Sequence, residues 1–226
     1  MLEFYYNPRS PMARRVWVTL LEKNIPFEPI LVNLNGSQME PEFLAINPFH
    51  HVPVIIDDGF RVIESLAIMD YLEAKYPTPE MLPKEAQGLA TVRMVQMVTN
   101  NELLPQIITQ LYEDTSSPKV VQAREHINKV FSFLVELLGE NSYFGSDRLT
   151  LGDIVVGGAI SLLVQSGISL KNYPKLNDWL DRLMQREAWS KTELNQEEFE
   201  QFKRVLKILR DRKLNQASSK AVTSIT

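Results

Sequence analysis

NPFHHVPVIIDDGFRVIESLAIMDYL, residues 47–72, decides the fold. Val54–Ile56 and Phe60–Ile63 are short β-type runs separated by Asp58-Gly59, a tight-turn signature. Glu64-Ser65 then opens a helix that runs to about Lys75, with serine at a position that satisfies orphan N–H groups. Val52 precedes Pro53 in a stretch expected to be unpaired, so its N–H and C=O are free to pair with a peptide-like ligand. The start of the following helix offers free N–H groups and a positive end to a carboxylate. Side by side, these two backbone devices suit a small acidic peptide.

Upstream, Leu2, Phe4 and Tyr6 alternate with Glu3 and Tyr5 as a short strand. Met12, Val16 and Leu20, joined by Trp17 and Leu21, keep helical spacing up to Asn24. Ile25-Pro26 ends that helix. Phe27–Leu34 reads as a second strand, and Pro29 assigns it to a sheet edge. Residues 36–46 are a loop with one helical turn at Pro41–Leu44. The order is βαβ, a looser helix, then ββα.

Downstream, Tyr76 to Lys84 is the densest proline region and reads as a linker, 77–87. Residues 86–213 contain no convincing strand, and 88–213 is read as the second domain. Leu89–Tyr112 is helical with a kink expected near Pro105. Lys119–Leu138, Leu151–Val164, Pro174–Gln185 and Gln196–Leu214 are further helices. Leu151–Val164 is apolar nearly all round, so it belongs at the centre of a bundle. Thr150-Leu-Gly-Asp153 ahead of it is a capping box. The small polar residues of 214–226 predict a disordered tail. The fold class is α+β: residues 1–76 form one domain, and an all-helical bundle forms the second.

Of 226 residues, 44% are hydrophobic, enough for a sizeable core. A net charge of −4 argues against a nucleic-acid partner, which needs a clustered basic face. No run reaches the ~18 apolar residues that span a bilayer, and residues 1–10 carry no signal pattern. The expected compartment is the cytoplasm, with no membrane partner. The absence of cysteine excludes disulfides, tetrathiolate zinc sites and a cysteine nucleophile. Any thiol chemistry must use a thiol that a substrate supplies.

PEFLAINP (41–48), Val52-Pro53, DDGFRVIES (57–65) and TLGD (150–153), in this order, resemble the cytosolic glutathione transferases. The opening FYYNPRSPMARRV (4–16) is similar to the start of serine-type members, called delta and theta. The likeness covers the chain to about residue 213. It implies a thioredoxin-like first domain with Pro53 in the cis state. It also implies that Val52 pairs with the cysteinyl backbone of glutathione. Ser65 and its helix N–H groups would take the γ-glutamyl carboxylate, and Glu64 the ammonium. His50 and His51 would meet the glycine carboxylate, with Gln38 near another such position. Leu66 departs from the arginine that delta-type members often keep there.

Ser10, before Pro11 and the first helix, reads on its own as an N-cap. The likeness makes it the hydroxyl that donates to the glutathione sulfur. A free thiol has a pKa near 8.5; a donor and a helix N-terminus both favour the thiolate. Tyr5 or Tyr6 is a rival donor, their rings falling on opposite faces of the strand. Arg9 and Arg14 flank the site, and Arg14 matches a family arginine that holds local structure. The second substrate is expected to be a small apolar electrophile, held between Met12 and Leu104, Ile108, Leu111 and Tyr112. Glutathione is a co-substrate, no metal or cofactor is expected, and peroxide reduction is a possible side activity. Relatives usually form two-fold homodimers. The alternatives are a non-catalytic module built on the same scaffold, and an isomerase that uses glutathione as a catalyst. The serine-cysteine signature of the isomerase group is absent.

Overall fold

The computed structural model describes residues 1–208. Four strands form a mixed sheet in the order β2-β1-β3-β4: β1 Leu2–Tyr6, β2 Phe27–Leu31, β3 Val54–Asp57 and β4 Phe60–Ile63. β1 runs parallel to β2, from Leu2 opposite Phe27 to Tyr6 opposite Leu31. β3 is antiparallel to β1 and to β4. The β3–β4 turn takes positive φ at both Asp58 (51°) and Gly59 (81°), which matches the twist of a two-residue hairpin. β2 lies at the edge, where Pro29 costs no ladder bond. It ends at Leu31, shorter than expected, although Val32 N still donates to Tyr6 O.

Helix α1 (Pro11–Glu22) crosses from β1 to β2, α2 (Pro41–Ile46) follows a short 3₁₀ turn at Ser37–Met39, and α3 (Ser65–Lys75) follows the hairpin. The proline-rich stretch is pinned, not loose. Met81 N and Leu82 N donate to Glu73 Oε1 at 2.8 and 3.2 Å. Buried Lys23 donates to the carbonyls of Tyr76 and Pro79, each at 2.7 Å. Thr78-Pro79 is cis, which the sequence reading did not anticipate.

The second half is helical: α4 Ala86–Val98, α5 Leu104–Tyr112, α6 Pro118–Leu138, α7 Leu151–Gln165, α8 Pro174–Met184, α9 Glu187–Thr192 and α10 over 196–208. The predicted Leu89–Tyr112 helix is two helices joined by a π-helical segment at Thr99–Leu103. Pro105 has no N–H to give to the carbonyl four residues back, so the break falls just before it. Short α9 is not visible in the periodicity. The expected disorder of 214–226, and the end of the last helix, lie outside the described residues. No helix among the described residues is long and apolar enough to cross a membrane.

Helix α7 is the centre of the bundle, with Gly157 set tightly against α9. A Cβ there would lie 2.5 Å from Trp189 Cη2. The capping box at its start is complete, with Thr150 N donating to Asp153 Oδ2 (2.8 Å) and Asp153 N to Thr150 Oγ1 (3.4 Å). Asp153 also accepts from Phe144 N (3.0 Å), Trp179 Nε1 (2.8 Å) and Thr150 Oγ1 (2.7 Å). It is therefore a node that ties α7 to α8 and to the loop before it. Complete burial pushes its carboxyl up to about 6, against the pull of these donors.

Removing the Thr150 cap by Thr150→Ala should cost about 1–2 kcal/mol in urea unfolding. Asp153→Ala orphans several buried donors, each worth roughly 1–3 kcal/mol, and should cost more than the cap. The folded-state pKa of Asp153 lies above the unfolded one, so the buried carboxylate subtracts stability at neutral pH. Protonation relieves that penalty as pH falls from about 6 towards 4. The stability of wild type relative to Asp153→Asn should therefore rise by roughly 1–3 kcal/mol over this window. A difference independent of pH would contradict the assignment.

Candidate active site

The loop from β1 to α1 is shaped by Asn7. Its buried amide donates to Val32 O (2.8 Å) and accepts from Arg9 N (3.0 Å), so the loop folds back over the sheet edge. Ser10 closes this loop as the N-cap of α1, with Oγ accepting from Ala13 N at 3.3 Å. Because that oxygen is an acceptor toward the helix, its own proton remains for a partner on the cavity side.

The loop before β3 is held in the same way by Asn47, which donates to His51 O (2.8 Å) and accepts from Phe49 N (3.0 Å). His50 adopts a positive φ of 61°, and its Nδ1 is buried without a partner among the described residues. Val52-Pro53 is cis, in line with the resemblance. Neither the N–H nor the C=O of Val52 bonds to another described residue, whereas Val54 pairs with Tyr5 in the sheet. Val52 therefore offers an open donor and acceptor next to a rigid strand.

At α3 the structure corrects the reading of Ser65 as N-cap. Glu64 occupies the cap position and Ser65 is the first helical residue. The Glu64 side chain makes no capping bond, so the first N–H groups of this 11-residue helix stay open. Glu64 has φ 68° and ψ 118°, a backbone state that costs of order 1–3 kcal/mol in a non-glycine residue and clusters at binding sites. Ser65 Oγ has only the soft sulfur of Met12, at 4.0 Å.

These elements converge on one cavity of about 440 Å³. Its lining brings together Ser10, Met12, His50, His51, Val52, Pro53, Glu64 and Ser65. Asn47, Leu34, Leu66 and Asn100 join them without having been foreseen as site residues. Asn47 carried a usable signal, since Asn-Pro marks a turn that an Asx side chain can hold. Asn100 carried none. It sits in the π-helical segment, and its carbonyl oxygen accepts from buried Arg15 at 3.0 Å. Burial without a carboxylate pushes the Arg15 guanidinium down to about 10.

Several predicted residues lie elsewhere. Gln38 spends its amide on its own loop, donating to Leu34 O (2.9 Å) and accepting from Gly36 N (3.0 Å), and does not line the cavity. Leu104, Ile108, Leu111 and Tyr112 do not reach Ser10. Leu104 packs half-buried on the core and Ile108 is 41% exposed. Leu111 and Tyr112 line a separate cavity with Lys203, Arg204 and Lys207. One extra residue in a π turn rotates the following helical face by about 100°, which a regular 3.6-residue extrapolation misses.

The apolar space beside Ser10 is built differently. A second cavity, of about 180 Å³, is lined by Arg9, Ser10, Pro11, Leu34, Asn35, Phe202, Val205 and Leu206. Its far wall is α10, and Ser10 and Leu34 belong to both cavities.

Neither tyrosine of β1 lines these spaces. Tyr6 stacks on Phe4 with centroids 4.9 Å apart and leans on Trp17. Tyr5 donates to Glu3 Oε2 at 2.8 Å, and burial, reinforced by Glu3, pushes its hydroxyl up to about 12. Both rings are therefore committed away from Ser10, where one had been expected near the cleft. Arg14 points from α1 into the helical half, donating to Ser161 Oγ (3.0 Å) and Thr192 Oγ1 (3.3 Å) beneath the Trp189 ring.

Comparison with known proteins agrees with this architecture. Residues 4–80 match the glutathione S-transferase N-terminal domain family, and residues 89–187 the glutathione S-transferase C-terminal domain family. The chain is 33% identical over 193 residues to glutathione S-transferase hmp2 of Hypomyces subiculosus, covering 78% of this chain and 91% of that protein. It is similar to an epsilon-class glutathione S-transferase of the housefly, Musca domestica, at TM-score 0.78 and 28% identity. That match covers 92% of this chain and 97% of the other. A delta-class glutathione transferase of Nilaparvata lugens matches at TM-score 0.78 and 25% identity, covering 92% and 99%. With a mixed four-stranded sheet followed by a helical bundle, and both domain families matched in order, this chain belongs to the glutathione S-transferase family.

Proposed function

We propose that this protein conjugates the thiolate of glutathione to apolar electrophiles. The observation that carries the reading is the position of Ser10, which lines both the cavity that holds His50, Val52, Glu64 and Ser65 and the smaller, more apolar one beside it. A thiol bound in the first cavity beside Ser10 would lie next to an electrophile held in the second, since Ser10 and Leu34 line both.

Each end of the tripeptide has a matching device. The open N-terminus of α3 and the Ser65 hydroxyl suit the γ-glutamyl carboxylate, and the exposed Glu64 carboxylate suits its ammonium. Val52 pairs its free N–H and C=O with the cysteinyl backbone, a one-residue strand addition. His50, with its unpartnered buried nitrogen, and His51 face the glycine carboxylate. Ser10 then donates to the sulfur. It stabilises an anion and does not attack. Pro11, Leu34, Phe202, Val205 and Leu206 hold the second substrate. Met12 lies on the glutathione side, against Ser65. A homodimer acting in the cytoplasm completes the proposal, on the strength of the family likeness.

The test is titration of the bound thiol by ultraviolet difference absorbance. In Ser10→Ala the apparent thiol pKa should rise by about 1–2 units, each unit being ~1.4 kcal/mol of lost thiolate stabilisation. Glutathione affinity should change far less than the conjugation rate. Tyr5→Phe and Tyr6→Phe should leave the titration where it is. A pKa unmoved in Ser10→Ala would sink the role of Ser10. In Ser65→Ala the weakness should instead appear in glutathione binding, by about 1–3 kcal/mol for a bond to a charged group.

A further inference from the structure

Arg9 is the one residue of the β1–α1 loop whose chemistry the proposed reaction leaves unused. It is half-buried and lines the apolar cavity beside Ser10. Among the described residues its guanidinium forms no ion pair and no side-chain hydrogen bond. The neighbouring arginines are both engaged, Arg14 with Ser161 and Thr192, and Arg15 with Asn100. Among the described residues no aspartate or glutamate lines the cavity, and the only other side chain there with an N–H donor is Asn35.

A guanidinium that lines an apolar pocket and is unpaired among the described residues is a forked donor suited to a carboxylate or sulfonate. The proposed function seats the glutathione carboxylates in the other cavity, so an anion bound at Arg9 would belong to the second substrate. Apolar cavities of roughly 150 Å³ take up a benzene ring, and this one is about 180 Å³. From this geometry we infer that the preferred electrophile is an aromatic compound carrying an anionic group, a carboxylate or sulfonate. Its ring lies on Phe202 and Leu206, its anion on Arg9, and its electrophilic carbon towards Ser10. This inference rests on the transferase reading above and names its substrate class.

The reaction for the test is aromatic substitution on 4-chloro-3-nitrobenzoate. The glutathione sulfur forms a bond to the carbon bearing chlorine, chloride leaves with the electron pair, and the thiol proton passes to solvent. The methyl ester of the same acid has the same ring and leaving group but no charge. For the full-length protein at saturating glutathione, kcat/KM is measured on both compounds, and the acid-to-ester ratio is the readout. Arg9→Gln should lower that ratio at least five-fold. Arg9→Lys should recover most of it, and raised salt should shrink the wild-type preference. The KM for glutathione should stay within two-fold, which separates this role from a contact to the tripeptide. An acid-to-ester ratio unchanged in Arg9→Gln overturns the inference and leaves the transferase reading standing, provided the ester is conjugated. If wild type conjugates neither compound, the inference and the transferase reading fall together.

Discussion

Helix α1 is the constraint on which the site depends. It is buried from both sides, by the sheet and α3 on one and by α7 and α9 on the other. Among the described residues Arg14 and Arg15 are buried in it without a carboxylate in ion-pair contact, held by hydroxyls, an amide oxygen and an indole face, with Glu193 acting on Arg14 at longer range. Burial lowers the pKa of both. Breaking such a contact leaves a buried charge uncompensated, a far larger loss than that of an exposed pair. At the other end of α1, Glu22 takes a bidentate bond from Arg186 at 2.7 and 2.6 Å. The helix that carries Ser10 at its cap is thereby fixed to both halves of the chain, and the hydroxyl cannot shift without unpacking the junction.

The larger cavity offers backbone groups more than side chains. Val52 contributes an unpaired peptide group, α3 an open helix end, and His50 and Glu64 take backbone conformations with positive φ. Two asparagines, Asn7 and Asn47, hold the loops that present these groups. Under the proposed function a charged tripeptide would be met by dipoles fixed before it arrives, which reduces the ordering cost of binding. The apolar cavity beside it is simpler, with side chains of α10 and of two loops forming its walls.

What could be read from the sequence followed from local signals. The Asp58-Gly59 turn, the alternation in β1, Pro29 at an edge and the Thr150–Asp153 box each encode their structure within a few residues, and the fold follows from their order. Eight residues of the larger cavity, Ser10, Met12, His50, His51, Val52, Pro53, Glu64 and Ser65, were legible for the same reason, because they sit in loops and helix starts within the quoted motifs. The failures are non-local. Which helix walls the apolar cavity depends on the phase of α5 after a π turn and on how α10 folds back, and no window of sequence contains both. Gln38 was misplaced because its amide closes its own loop. Tyr5 and Tyr6 alternate as expected, yet both rings find partners within the first half and turn from the cleft.

The wall formed by α10 has a corollary. The residues that line the larger cavity come, apart from Asn100, from the first 66 positions, whereas Phe202, Val205 and Leu206 of the smaller one come more than a hundred residues later. Substitutions in that late segment alter the smaller cavity without touching the residues that line the larger one.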